Sequence, residues 1–187
     1  KGGGEDMSRT YGQVKKGDVD AKSRSYQMKA LKADQRRAEA ARLESLKKKV
    51  EEVLAASPKL AAMKSQIRLD MTRDGLRIQI IDEQSRPMFD SGSAIVKPYM
   101  RELLREIGTV LAEVPNRLTL EGHTDAQPFG AGERGYSNWE LSSDRANASR
   151  RELLAGGLAE ARVLRVQGLA SSSPYDRENR LNPANRR

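Results

Sequence analysis

Leu118-Thr119-Leu120-Glu121-Gly122-His123-Thr124-Asp125 is the stretch on which the fold turns. Apolar and polar residues alternate from Arg117 to Gly122, the period of a half-buried strand, and the strand runs straight into a polar end carrying Asp125. A loop from Ala126 to Tyr136 follows, with Pro128 and three glycines. Ser137 and Glu140 then have the spacing of a capping box and predict a helix over 138–154, closed by Gly156-Gly157. Val163 to Leu169 reads as a further strand. Upstream, 67–71 and 76–80 alternate at period two, and Asp74-Gly75 between them offers the positive φ values of a tight hairpin. After a turn-rich stretch over 82–93, Pro98 stands where a first helical turn tolerates it. Leu103, Leu104, Ile107, Val110 and Leu111 then recur at helical spacing. A hairpin followed by helix, strand, helix and strand predicts an α/β (α+β) sandwich, its helices packed on a mixed β-sheet.

Outside this region the composition changes. Of the 187 residues, 37% are hydrophobic, 4% aromatic and 32% charged, which is apolar-poor for a fully packed chain of this length. Residues 1–25 read as a flexible linker. Residues 26–57 read as an N-terminal helix with a stripe of Leu43, Leu46, Val50, Val53 and Leu54, and the compact domain spans 66–187. The net charge of +8 is concentrated in the first 60 residues, where 15 Lys and Arg face 9 Asp and Glu. The remaining 19 against 17 are nearly balanced. A basic arm of this kind points to a solvated segment or an acidic surface rather than to nucleic acid. No run is long and apolar enough for a membrane helix, and the start, Lys1-Gly2-Gly3-Gly4, has no apolar region of a signal peptide. With no Cys and a single histidine, His123, thiol chemistry and a histidine metal cage are excluded, and no metal or cofactor is expected.

Asp125 ends a strand and Arg145 lies on the helix that follows. Helical periodicity puts Asn138, Leu141, Ser142, Arg145 and Ser149 on one face. A carboxylate and a guanidinium framing a small polar notch suit a zwitterion: ammonium to Asp125, carboxylate to the two-pronged Arg145. A direct Asp125–Arg145 pair locking strand to helix is the competing reading. A hydrolase using His123 with Asp125 and Ser142 is a third, but no recognisable nucleophile turn accompanies them.

The segments Gly122 to Asp125, Asn138 to Ala146 and Asn185-Arg186-Arg187 together resemble the signature of OmpA-like peptidoglycan-binding domains. Gly75 to Asp82, Arg86 to Phe89, Gly135 to Ser142 and Arg145 to Leu153 further resemble the MotB-type stator subunits of flagellar motors. The resemblance covers roughly residues 66–187. It implies a non-catalytic wall anchor in which Asp125 and Arg145 hold the ammonium and carboxylate of diaminopimelate, with Asn138, Leu141 and Thr124 lining the pocket. A periplasmic location in a single-pass inner-membrane protein is implied too, with a MotA-type partner, a homodimer and the flagellar P-ring as further contacts. An OmpA-like anchor of the outer-membrane or lipoprotein type, unrelated to a motor, is the alternative. Members of that family continue past Asn-Arg-Arg with a final strand that these 187 residues lack, so an open sheet edge is expected.

Overall fold

The computed structural model describes residues 16–129 and 135–187. Helix α1 runs over Lys16–Ala56 and is followed by a single turn, α2 (Pro58–Ala61). Strands β1 (Ile67–Thr72) and β2 (Gly75–Ile80), helix α3 (Pro98–Ala112), strand β3 (Leu118–Gly122), helix α4 (Asn138–Ala155) and strand β4 (Val163–Gly168) complete the order. The chain divides into two compact units, Lys1–Ala41 and Arg42–Arg187.

In the first unit α1 begins ten residues before Tyr26, so 16–25 is helical where composition suggested a linker. The rest of the proposed linker, 1–15, lies outside the described residues. The run of Lys, Asp, Ala, Ser and Arg lacks an apolar period but also lacks Pro, and its single Gly17 does not stop a helix. The stretch expected to be a flexible linker is helical from Lys16, and its described side chains are exposed.

The second unit holds the core. Leu43, Leu46, Val50 and Leu54 from the last turns of α1 share one buried core with Leu60, Met63 and the α3 residues Met100, Leu103, Leu104, Ile107, Val110 and Leu111. Pro98 opens α3 at its first position, as the fixed φ of proline allows. Helices α3 and α4 approach closely through glycines. A Cβ at Gly108 would stand 2.3 Å from the Leu153 carbonyl, and one at Gly156 would stand 2.0 Å from the Arg105 carbonyl. The same device seats α4 on β3 and β4: a Cβ at Gly122 would lie 2.1 Å from the Ser142 carbonyl, and one at Gly168 2.3 Å from the Ser143 hydroxyl.

The expected mixed sheet resolves into two separate pairs. β1 and β2 pair antiparallel in register Thr72↔Gly75 to Ile67↔Ile80. β3 and β4 pair parallel, with a register shift between Leu118 and Thr119. The hairpin turn also differs from the expectation. Gly75 alone carries the positive φ, +126°, and it pairs with Thr72, so Arg73 and Asp74 form the two-residue tip. Between the facing edges of β2 and β3 lies a cavity of about 690 Å³, lined along its length by Leu76, Ile78, Ile80, Leu104, Ile107 and Leu118. The backbone of the C-terminal residues enters one end of it: Asp82 N–H donates to the Arg186 carbonyl at 2.8 Å, and His123 N–H to that of Arg187 at 2.8 Å. β2 and β3 thus stand on either side of a slot.

Candidate functional site

The polar end of this slot gathers charges from four parts of the chain. Asp82 follows β2, Asp125 follows β3, Arg145 stands on α4, and Arg186 comes from the C-terminal stretch. Local chemistry places each. The α4 capping box forms as expected: Ser137 N–H donates to Glu140 Oε2 at 2.7 Å and Trp139 N–H donates to Ser137 Oγ at 3.2 Å. The stretch 171–187, which looks merely polar in sequence, is folded on one side chain. Asn185, 1% exposed, accepts from Asp176 N–H at 2.7 Å and donates to the carbonyls of Asp176 and Asn179 at 3.2 and 2.9 Å. With its amide fully used, it fixes the residue after it, Arg186.

Arg145 is buried. Its Nε donates to the Ser93 carbonyl at 2.8 Å and its Nη2 to the Asp90 carbonyl at 3.1 Å. The guanidinium lies over the Phe89 ring, 4.9 Å from its centroid. No carboxylate among the described residues is within ion-pair distance of it. Burial pushes its pKa down, while Asp82 and then Asp125 oppose that and Arg186 adds to it. Arg145 is thus a cation held by neutral carbonyls, with donors left over from its five N–H groups.

Asp125, also buried, accepts from Gln127 N–H at 3.1 Å and meets Arg186 Nη1 at 3.4 Å. The competing reading, a direct Asp125–Arg145 lock, is not what the structure shows: Asp125 pairs with Arg186. Asp82 is the more tightly held carboxylate. Its Oδ1 accepts from Met88 N–H at 2.6 Å and its Oδ2 lies 2.8 Å from Arg186 Nε. Burial raises its pKa above the ordinary value of 3.8, against the Met88 N–H, Arg186 and Arg145.

The other expected lining residues take quieter places. Asn138 donates to the Gln127 carbonyl at 2.8 Å and ties the start of α4 to the turn after Asp125. Leu141 is buried. Thr124 is buried too; its N–H donates to the Ala170 carbonyl at 2.9 Å and its hydroxyl has no partner. Ser142 and Ser149 donate to the helix's own carbonyls, of Trp139 and Arg145, at 3.0 Å each, so they add little to a polar notch. Ala170, at φ +46°, is the lone non-glycine in the left-handed region among the described residues, and its N–H donates to Ser142 Oγ at 3.1 Å. Phe129 and Tyr136 pack at 5.0 Å between centroids, and Phe129 also lies 3.2 Å from where a Gly92 Cβ would be. The Tyr136 phenol donates to Asp144 at 2.8 Å, and burial with that bond pushes its pKa up to about 12.

His123, Asp125 and Ser142 form no relay. The His123 Nε2 faces Glu121 at 3.6 Å and its Nδ1 has no partner, while Asp125 turns to Gln127 and Arg186. Asp82, Phe89 and Arg186 are the residues that the sequence reading left out of the site. Arg186 had a signal, since it sits in the Asn-Arg-Arg motif. Asp82 had only its place at the end of an alternating strand.

An α/β domain with this charged recess belongs to a known class. The OmpA family profile matches residues 88–187, more than half of the chain, and the chain belongs to that family. Within it, the chain is 48% identical over 171 residues to Motility protein B of Escherichia coli K12, covering 91% of this chain and 52% of that protein. The chain spans about half the length of the curated relatives it matches at that level. Two solved structures share the fold. The periplasmic domain of Helicobacter pylori MotB superimposes with a TM-score of 0.57 at 18% identity, covering 67% of this chain and 78% of that one. The cell wall anchor of the type VI secretion system of Pseudomonas aeruginosa gives a TM-score of 0.58 at 25% identity, covering 73% of this chain and 91% of that one.

Proposed function

We propose that this domain is a non-catalytic peptidoglycan anchor of the kind that fixes a flagellar stator to the cell wall. The buried Arg145 carries the reading. A guanidinium held by two carbonyls and paired with no described carboxylate is an acceptor for an outside carboxylate. Asp125, whose contact with Arg186 is long at 3.4 Å, takes the accompanying ammonium. The diaminopimelate of the peptide stem presents both groups on one carbon. Asn138, Leu141 and Thr124 act behind them by holding the turn and the helix in place. The likeness to Motility protein B and to a wall anchor of a secretion system supports this class of ligand. By the same likeness the domain works in the periplasm as part of an inner-membrane protein, beside a MotA-type subunit and the P-ring.

Each charge-assisted contact contributes about 1.5–3 kcal/mol, so one site grips weakly to moderately. A homodimer then raises retention on a polymer through effective concentration. The test is co-sedimentation with isolated sacculi. The wild-type chain pellets with them, free diaminopimelate releases it, and Arg145→Ala or Asp125→Asn lowers the bound fraction at least tenfold. If both folded variants sediment like the wild type, the site is elsewhere.

A further inference from the structure

Asp82 touches the supports of both charged arms without belonging to either. Through Oδ1 it accepts from Met88 N–H at 2.6 Å, at the start of the segment whose Asp90 and Ser93 carbonyls hold Arg145. Through Oδ2 it lies 2.8 Å from Arg186 Nε, and the same guanidinium reaches Asp125 with Nη1 at only 3.4 Å. Arg186 therefore has two carboxylates to choose from and is drawn to Asp82. An ammonium approaching Asp125 competes with Arg186 for the same oxygens, so the strength of the Asp82–Arg186 pair sets how free Asp125 is. The other charged or titratable groups coupled to Asp82 are Arg145 and Tyr99, and neither is an alternative anion for Arg186.

We propose that Asp82 is a positioning residue that holds Arg186 back from Asp125 and thereby keeps the Asp125 carboxylate available to a ligand ammonium. This rests on the reading of Asp125 and Arg145 as the ligand's grips. Without the Asp82 charge, Arg186 closes on Asp125 and blocks it, although Asp82 touches no ligand. Asp82→Asn keeps an oxygen for Met88 N–H and the side-chain volume, so it removes the charge alone.

The experiment uses the whole chain and two readouts. Calorimetric titration with the stem peptide L-alanyl-γ-D-glutamyl-meso-diaminopimelate measures affinity. The ¹⁵N–¹H signal of Arg186 Nε, 2.8 Å from Asp82 Oδ2, reports the surroundings of the guanidinium in the ligand-free protein. In Asp82→Asn the affinity falls about tenfold and the Arg186 signal moves. In Asp82→Asn/Arg186→Gln, where no cation competes, affinity returns to within threefold of wild type. In Asp125→Asn the Arg186 signal stays in place, because Asp82 still holds it; this arm stands even if Asp82→Asn does not fold. Wild-type affinity in Asp82→Asn, a double variant as weak as the single one, or an Arg186 signal that moves as far in Asp125→Asn each overturns the proposal. If the wild type ignores the peptide while the Arg186 signals behave as stated, the wall-ligand reading falls and the brace stands.

Discussion

Arg145 shows why a guanidinium and an ammonium are not exchangeable at a buried site. Its Nε and Nη2 are fixed to two carbonyls, which leaves the remaining edge aimed by geometry rather than by a flexible stem. Lysine has three N–H donors on a single nitrogen, so it lacks the second edge of parallel donors that Arg145 can turn to a ligand carboxylate while its other edge holds the carbonyls. Arg145→Lys is therefore expected to fold, with a thermal midpoint within a few degrees of wild type, and to lose at least tenfold in sacculus co-sedimentation. Wild-type sedimentation of Arg145→Lys would reduce the site to a point charge. His123 carries a different consequence. Burial first, then Arg187, lowers its pKa below the ordinary 6.5, and Glu121 only partly opposes this. The folded chain thus prefers the neutral imidazole. Well above pH 6.5 neither state binds the proton and His123 contributes no slope. As pH falls below that value the unfolded chain takes up a proton that the folded chain refuses, and stability declines until the folded imidazole titrates. Asp82 has the opposite sign: its raised pKa makes the ionised form a cost that fades on acidification. Urea unfolding at pH 7.5, 6.5 and 5.5 is expected to show a smaller acid loss in His123→Gln than in wild type. Parallel curves would mean that the imidazole is solvated.

At the scale of elements, the glycine contacts decide how closely α4 sits. Gly108 lies in the interior of α3, where alanine has the better helix propensity by about 1 kcal/mol. Yet a Cβ there meets the Leu153 backbone at 2.3 Å, and a backbone carbonyl cannot rotate away as a side chain can. Gly108→Ala is therefore expected to cost about 1–3 kcal/mol through overpacking, measured as a lower urea midpoint with an unchanged m-value. A gain in stability would show that α3 and α4 stand further apart than the glycines imply. The same elements show what a single sequence discloses. Helices α3 and α4 and strands β1 to β4 were legible because each carries its own period, cap or turn: Pro98, Ser137 with Glu140, and the alternation of 67–71 and 76–80. Pairing between strands is not local, so nothing in those periods told one mixed sheet from two pairs flanking a slot. The placement of Asp125 at a strand end and of Arg145 on a helix was legible because both are local properties. That Asp125 pairs with Arg186, and that Asp82 competes for it, depends on a fold of 171–187 organised by the Asn185 amide, whose partners at Asp176 and Asn179 bear no periodic mark.

At the scale of the molecule, α1 belongs to both compact units, and its two parts carry different weight. Up to Ala41 its side chains, where described, are almost all exposed, including Val19, Tyr26, Met28 and Leu31. From Arg42 onward Leu43, Leu46, Val50 and Leu54 are buried in the same core as α3. Fully burying an aliphatic side chain stabilises by about 1.5–3 kcal/mol, so losing four of them removes a gross contribution comparable with the whole net stability of a small domain, about 5–15 kcal/mol. Removing residues 1–41 is therefore expected to leave the thermal midpoint within about 3 °C of the full chain, with sacculus binding per protomer unchanged. Removing residues 1–56 takes Leu43, Leu46, Val50 and Leu54 out of that core and is expected to lower the midpoint by well over 10 °C or to leave the chain aggregated, an effect that restoring 42–56 alone should reverse. Differential scanning calorimetry of the three lengths separates these outcomes. If the two deletions behave alike, the Leu43 to Leu54 stripe is not part of the folding unit.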